Sequence, residues 1–257
     1  MKDLICIALV VSAFLLSSCD PDCLDGNGRV TTQTRTVSAF TGVVSNGDFE
    51  VNIYPGEEYG VTVNADENLM NLIITRVSGG ELIIETRHGN CIRSSENVRI
   101  TVTLPDLNHI DLNGSGTIWC DTLFAQELGI DLDGSGTIRC ISLRVPTLDV
   151  DLSGSGKIEA DGTFTTVRTR IDGSGEVILS GETQTADLYI SGSGMISAGD
   201  LYTGTCHADI SGSGTIYTWV KDLLEVEISG SGIVYYYGDA PVVHTHITGS
   251  GQVIKKD

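Results

Sequence analysis

Aromatic residues are scarce in this chain, making up 6% of its 257 residues against 40% for hydrophobic residues as a whole. A core built here must therefore be aliphatic, and large aromatic clusters are excluded. Proline is rare, with 5 residues, while glycine reaches 31. No Gly-X-Y period runs through those glycines, which excludes collagen and leaves tight turns as their use. Positive charge is also short: 15 Lys and Arg face 34 Asp and Glu, for a formal charge of -19. A field of that sign repels nucleic acid and anionic lipid headgroups and attracts cations, so DNA or RNA binding is not expected. Long apolar runs are absent apart from one near the N-terminus. No cysteine pair has the CxxC spacing that marks zinc sites.

The one apolar run, Leu4 to Leu16, follows Lys2 and ends in Leu16-Ser17-Ser18-Cys19. It is short for a membrane span and has the form of a secretory signal. Leu-Ser-Ser-Cys resembles the lipobox of bacterial lipoproteins, which implies cleavage before Cys19 and lipid attachment to it. The expected organisation is then a signal peptide over 1–18, a tether over 19–28 and a single domain over 29–257. An ordinary secretory signal cut nearby is the alternative. Contact with a membrane is expected through the lipid anchor only, and more than one acyl chain makes such an anchor stable. Once Cys6 leaves with the signal and Cys19 takes lipid, Cys23, Cys91, Cys120, Cys140 and Cys206 remain. That odd set leaves at least one free thiol.

Gly-Ser-Gly occurs eight times, starting at Gly114, Gly134, Gly154, Gly173, Gly192, Gly212, Gly230 and Gly249. The steps are 18 to 20 residues, the signature of a repeat architecture. Two places before each copy stands an aliphatic residue: Leu112, Leu132, Leu152, Ile171, Ile190, Ile210, Ile228 and Ile247. Two places after each copy stands a β-branched one: Ile118, Ile138, Ile158, Val177, Ile196, Ile216, Val234 and Val253. Alternate side chains of a strand face opposite ways, so both sets point inward. Strand, glycine corner, strand and return then form one rung of a parallel β-solenoid, with equivalent residues stacked about 4.8 Å apart.

Residues 29–109 lack the motif but read as strands at Thr34–Val37, Phe49–Ile53, Val61–Val63, Leu72–Val77, Glu81–Glu85 and Val98–Leu104, with Gly79-Gly80 as a hairpin turn. Ala65 to Leu72 is the one place for a turn or two of helix. This region is expected to be the N-terminal part of the same body, covering the end of the rungs in 110–257, because an open strand edge invites aggregation. Lys255, Lys256 and Asp257 place charge on the last strand as edge protection.

Phe40-Thr41-Gly42-Val43, Gly47-Asp48-Phe49-Glu50-Val51-Asn52-Ile53, Pro55-Gly56 and Val61-Thr62-Val63-Asn64-Ala65-Asp66-Glu67-Asn68-Leu69, together with the later Gly-Ser-Gly rungs, resemble the autotransporter adhesin, head GIN domain family. The resemblance covers nearly all of the mature chain. It implies a right-handed parallel β-helix and a cell-envelope location; with the lipid anchor, the expected place is the outer membrane, facing the periplasm or the cell surface. It carries over no catalytic residue.

Any ligand must be met by outward positions. Three places before the corners stand Asp111, Asp131, Asp151 and Tyr189 among others; three places after stand Trp119, Tyr217 and Tyr235. These seven are the candidate ligand face. The aspartates make either a solvated acidic face or, less favoured, a calcium site, since carboxylate oxygens suit that ion; no other cofactor or metal is expected. The aromatic rings serve either as flat faces for sugars or as ordinary strand residues. Cys120 and Cys140 sit one rung apart as buried thiols or as a disulfide. The aspartates recur as a ladder and the five histidines are scattered, which speaks against the paired carboxyls of a polysaccharide-degrading β-helix. The expectation is a non-catalytic, adhesin-like module binding a glycan or an envelope protein, with a ligand-free structural envelope protein as the alternative.

Overall fold

The structure is a computed structural model that describes residues 23–240 and 242–257. The expected signal segment and the lipid site Cys19 lie outside the described residues. Among the described residues there is no helix; strands and turns form a parallel β-solenoid. From His109 onward each rung runs along a first face, turns at Gly-Ser-Gly, runs along a second face, and returns.

The register follows the motif. On the first face Leu112 pairs with Leu132, Leu152 with Ile171, Ile190 with Ile210 and Ile228 with Ile247. On the second face Ile118 pairs with Ile138, Ile158 with Val177 and Ile216 with Val234. These columns are buried along most of their length. A slip of one residue would turn every inward side chain to solvent, so the alternation fixes the stacking. The corner holds it as well: Ser155 N–H donates to Gly134 O at 2.9 Å. Gly154 there has φ +115°, and a Cβ on it would lie 2.5 Å from Gly134 O. A Cβ on Gly156 would lie 2.6 Å from Leu132 Cδ2. The first glycine thus admits the bend and the last admits the side chain below it.

The N-terminal region is more than a cover. Gly42–Asn46 and Glu50–Pro55 form a rung of their own, paired in parallel with His109–Gly114 and Thr117–Asp121. Gly47-Asp48-Phe49 stands where other rungs have Gly-Ser-Gly, which is why the motif does not reveal it. Glu81–Thr86 and Arg99–Leu104 stack on the other side of that rung, also in parallel. The rungs are therefore out of chain order at this end. The end itself is closed by antiparallel strands: Gly60–Asp66 on Arg99–Leu104, Val30–Arg35 on Gly60–Asp66, and Ile73–Ser78 on Glu81–Thr86. The last pair turns at Gly79-Gly80, as expected. Residues 67–72 form hydrogen-bonded turns rather than helix.

Residues 23–28, expected within the tether, are fastened to this cap. Cys23 and Cys91 form a disulfide across 68 residues, and Leu24–Asp25 pairs with Ile92–Arg93. Asp66 is fully buried and accepts from Ser95 Oγ (2.7 Å), Ser95 N (2.9 Å), Ser94 Oγ (3.0 Å) and Gly28 N (2.7 Å). Those donors, Ser95 first, hold its pKa at about 2 against the pull of burial. Cys120, Cys140 and Cys206 are free and buried.

Candidate functional site

The seven candidate residues do not share one face. Asp111, Asp131 and Asp151 stack in register on the first face, followed by Arg170 and Tyr189. Trp119, Tyr217 and Tyr235 belong to the second face, beyond the corner. Period two places a residue outside but does not say on which side of a bend it falls.

On the first face, burial pushes the carboxyls of Asp111, Asp131 and Asp151 above the usual range. The Asn113 amide donates to Asp111 at 3.0 Å, and His109 Nδ1 lies 3.6 Å from Asp131. The run of aspartates is interrupted at Arg170, whose charge favours ionised Asp151, and acids return in the same column at Asp209 and Glu227. The neighbouring outward column alternates in sign, with Arg168 3.2 Å from Asp149 and 3.9 Å from Asp187. Tyr189 rests against His207, centroids 5.7 Å apart. Among the described residues no group of three or more His, Cys, Asp or Glu is placed to hold a metal ion. The acids of this face are offset in part by His109, Arg168 and Arg170.

The second face is divided. Trp119 is exposed, but Arg139 of the next rung lies over its ring, 5.4 Å from the centroid. Trp119 stands five rungs from Tyr217 in its own column, roughly 24 Å at about 4.8 Å per rung. Tyr217 and Tyr235 stack with centroids 4.9 Å apart and planes 16° from parallel. Beside them opens a groove of about 600 Å³, lined by Tyr217, Trp219 and Tyr237, with Ile178, Ser197 and Gly199 below and Asp200 and Asp257 at its rim. Trp219 also meets Tyr202 edge-on at 5.1 Å, which carries the aromatic surface around the next bend. A Cβ on Gly199 would lie 3.4 Å from the Tyr237 ring, so the glycine leaves that ring its place.

Trp219 and Tyr237 line this groove and are not among the candidates, although each stands two places after a candidate tyrosine and the two pair with each other in the same register. Tyr202 lies past the second face, where the pairing shifts between Ala198 and Tyr202, and pairs there with Trp219. The signal in sequence is the alternation itself, which puts Trp219 and Tyr237 on the outward side with Tyr217 and Tyr235.

A family model described as "Putative auto-transporter adhesin, head GIN domain" matches residues 39–178 and again 164–240. The chain belongs to this family. The head GIN fold is also that of a crystal structure described as a "Putative lipid binding protein" from Parabacteroides distasonis, 26% identical over 91% of this chain and 99% of that one, with a TM-score of 0.83. A "putative adhesin" from Parabacteroides merdae has a TM-score of 0.82 at 22% identity, covering 92% of this chain and 100% of its own. Another from Bacteroides fragilis has a TM-score of 0.69 at 20% identity, covering 91% and 100%. These two share the fold. Comparison with curated proteins gives no match.

Proposed function

We propose that this head GIN protein is a non-catalytic, lipid-anchored module of the bacterial cell envelope that binds glycan through the aromatic groove of its second face. The observation that carries the reading is the groove itself: three rings, small residues beneath them, and carboxylates at the rim. Flat rings stack on the apolar faces of sugars while rim carboxylates accept from hydroxyls, and a rigid solenoid keeps the rings in place without ordering cost on binding. The family's adhesin description supports both an envelope location and a binding role. Anchoring at Cys19, in the outer membrane, is part of the proposal and rests on the lipobox-like residues.

A non-catalytic role is supported by the arrangement of acids. Asp111, Asp131 and Asp151 are consecutive members of one column, not partners across a cleft. The relative described as lipid-binding raises an apolar ligand as a second reading. In this chain the interior columns are filled with aliphatic side chains, so an acyl chain would have to lie along the same open groove.

Binding to an array of envelope and host polysaccharides tests the proposal. Tyr217→Ala should weaken binding about tenfold, the scale of one lost ring contact. Trp119→Ala, remote and covered by Arg139, should leave it unchanged. Absence of binding to any glycan, or equal loss in both variants, would overturn the reading.

A further inference from the structure

Several rings on this solenoid are covered by cations of the protein itself, although the exposed rings of Tyr54 and Tyr202 are not. Arg139 lies over Trp119, and Arg144 lies over Phe124, each 5.4 Å from the ring centroid. Lys256 Nζ stands 4.6 Å from the centroid of Tyr235. Tyr235 is the outer member of the tyrosine stack, so one end of that stack already holds an ammonium group. At the other end the pattern stops. The free side of Tyr217 is turned toward its register partner on the preceding rung, Ser197, which is too short to reach a ring and carries no charge.

The groove opens at that vacant place. Its lining includes no Lys, Arg or His, whereas Asp200 and Asp257 stand at its rim. A chain with a formal charge of -19 adds an attractive field for cations. An anionic ligand would meet carboxylates and no counter-charge; a neutral one would stack on the rings but leave the carboxylates without an opposite charge. A cation gains from both, because aromatic faces and carboxylates attract it together.

We infer that the groove selects an ammonium-bearing ligand, the positive group seated between Tyr217 and Asp200 where other rings of the chain carry an Arg or Lys. This deepens the glycan reading and rests on it: the ligand class is a glycan carrying free amino groups, such as a de-N-acetylated amino sugar. Acidic sugars and phosphorylated glycans are disfavoured by the same charges.

Calorimetric titration with two matched probes tests the inference: the glucosamine tetramer, its amines protonated at about pH 6, and the fully N-acetylated tetramer, which has the same ring skeleton and no charge. The full mature protein should bind the amine form about tenfold more tightly, which corresponds to about 1.4 kcal/mol. Asp200→Asn should narrow that ratio, and Tyr217→Ser should remove it. Equal affinity for the two tetramers would overturn the ammonium inference while leaving glycan binding intact. Binding of neither would overturn both. A tenfold preference that survives in Tyr217→Ser would assign it to diffuse attraction by the acidic chain and overturn the inference as well.

Discussion

The two ends of the solenoid are finished in opposite ways. At the N-terminal end, parallel stacking gives way to antiparallel strands, and a disulfide and the buried carboxylate of Asp66 fasten residues 23–28 and the 91–95 segment to them. At the C-terminal end the last rung, Val242–Gly249 with Gln252–Lys255, continues the register but nothing among the described residues covers it. Ile247 is 39% exposed, whereas its partner one rung in, Ile228, is 2% exposed. The same residue type in the same column thus has a very different energetic weight. Repeat stability is a sum of rung and interface terms, and a terminal rung has one interface where an inner rung has two. The open end is protected chemically instead: Lys255 pairs in register with the partly buried Tyr236, which puts charge where an added strand would need an apolar side chain.

The contrast can be broken most severely at its centre. Leu152→Asp places an unpaired carboxylate in the filled column between Leu132 and Ile171 and should cost more than about 5 kcal/mol, leaving no cooperative thermal transition by circular dichroism. Replacing both Cys23 and Cys91 by serine releases a 68-residue loop and should cost up to about 4 kcal/mol, read from denaturant unfolding. Hydrogen exchange should show that loss concentrated in the cap strands and not in the last rungs.

Asp66 gives a smaller and pH-dependent effect. Its pKa is about 2 in the folded protein, below the ordinary aspartate value of 3.8, so its contribution is complete above about pH 4 and is lost as pH falls through about 2. Asp66→Asn should lower stability by roughly 2 to 3 kcal/mol near neutral pH and flatten the acid limb of the stability profile. The smallest effect belongs to the open end: Ile247→Asp, the same substitution as at Leu152 and in the same column, should cost under about 1 kcal/mol in the same melt. Similar losses at Leu152 and Ile247 would mean that the last rung is as deeply packed as the centre.

The body of the fold was legible in the sequence. Leu112 to Ile247 and Ile118 to Val253 are inward columns because a strand alternates, and the spacing of Gly-Ser-Gly aligns one rung on the next. The rung at 42–55 was not, since Gly47-Asp48-Phe49 keeps the corner while altering the motif. The pairing of Cys23 with Cys91 was also hidden, because five remaining cysteines allow many pairings and only the cap brings these two together. The columns of the candidate face stack in register, but the corner divides them between two faces. Five rungs separate Trp119 from Tyr217 in the groove and Arg139 covers the Trp119 ring, whereas Trp219 enters the groove beside Tyr217 in the register that pairs it with Tyr237.

The sequence by itself determined which side chains point inward and how far one rung lies from the next, since both follow from a two-residue alternation inside a repeat of about twenty. Only the tertiary structure decided the order of the rungs at the capped end, the closure of that end, and which rings stay uncovered. Those outcomes depend on contacts between rungs and on bends between faces, where neighbours in space are a full turn or more apart in the chain and no local period connects them.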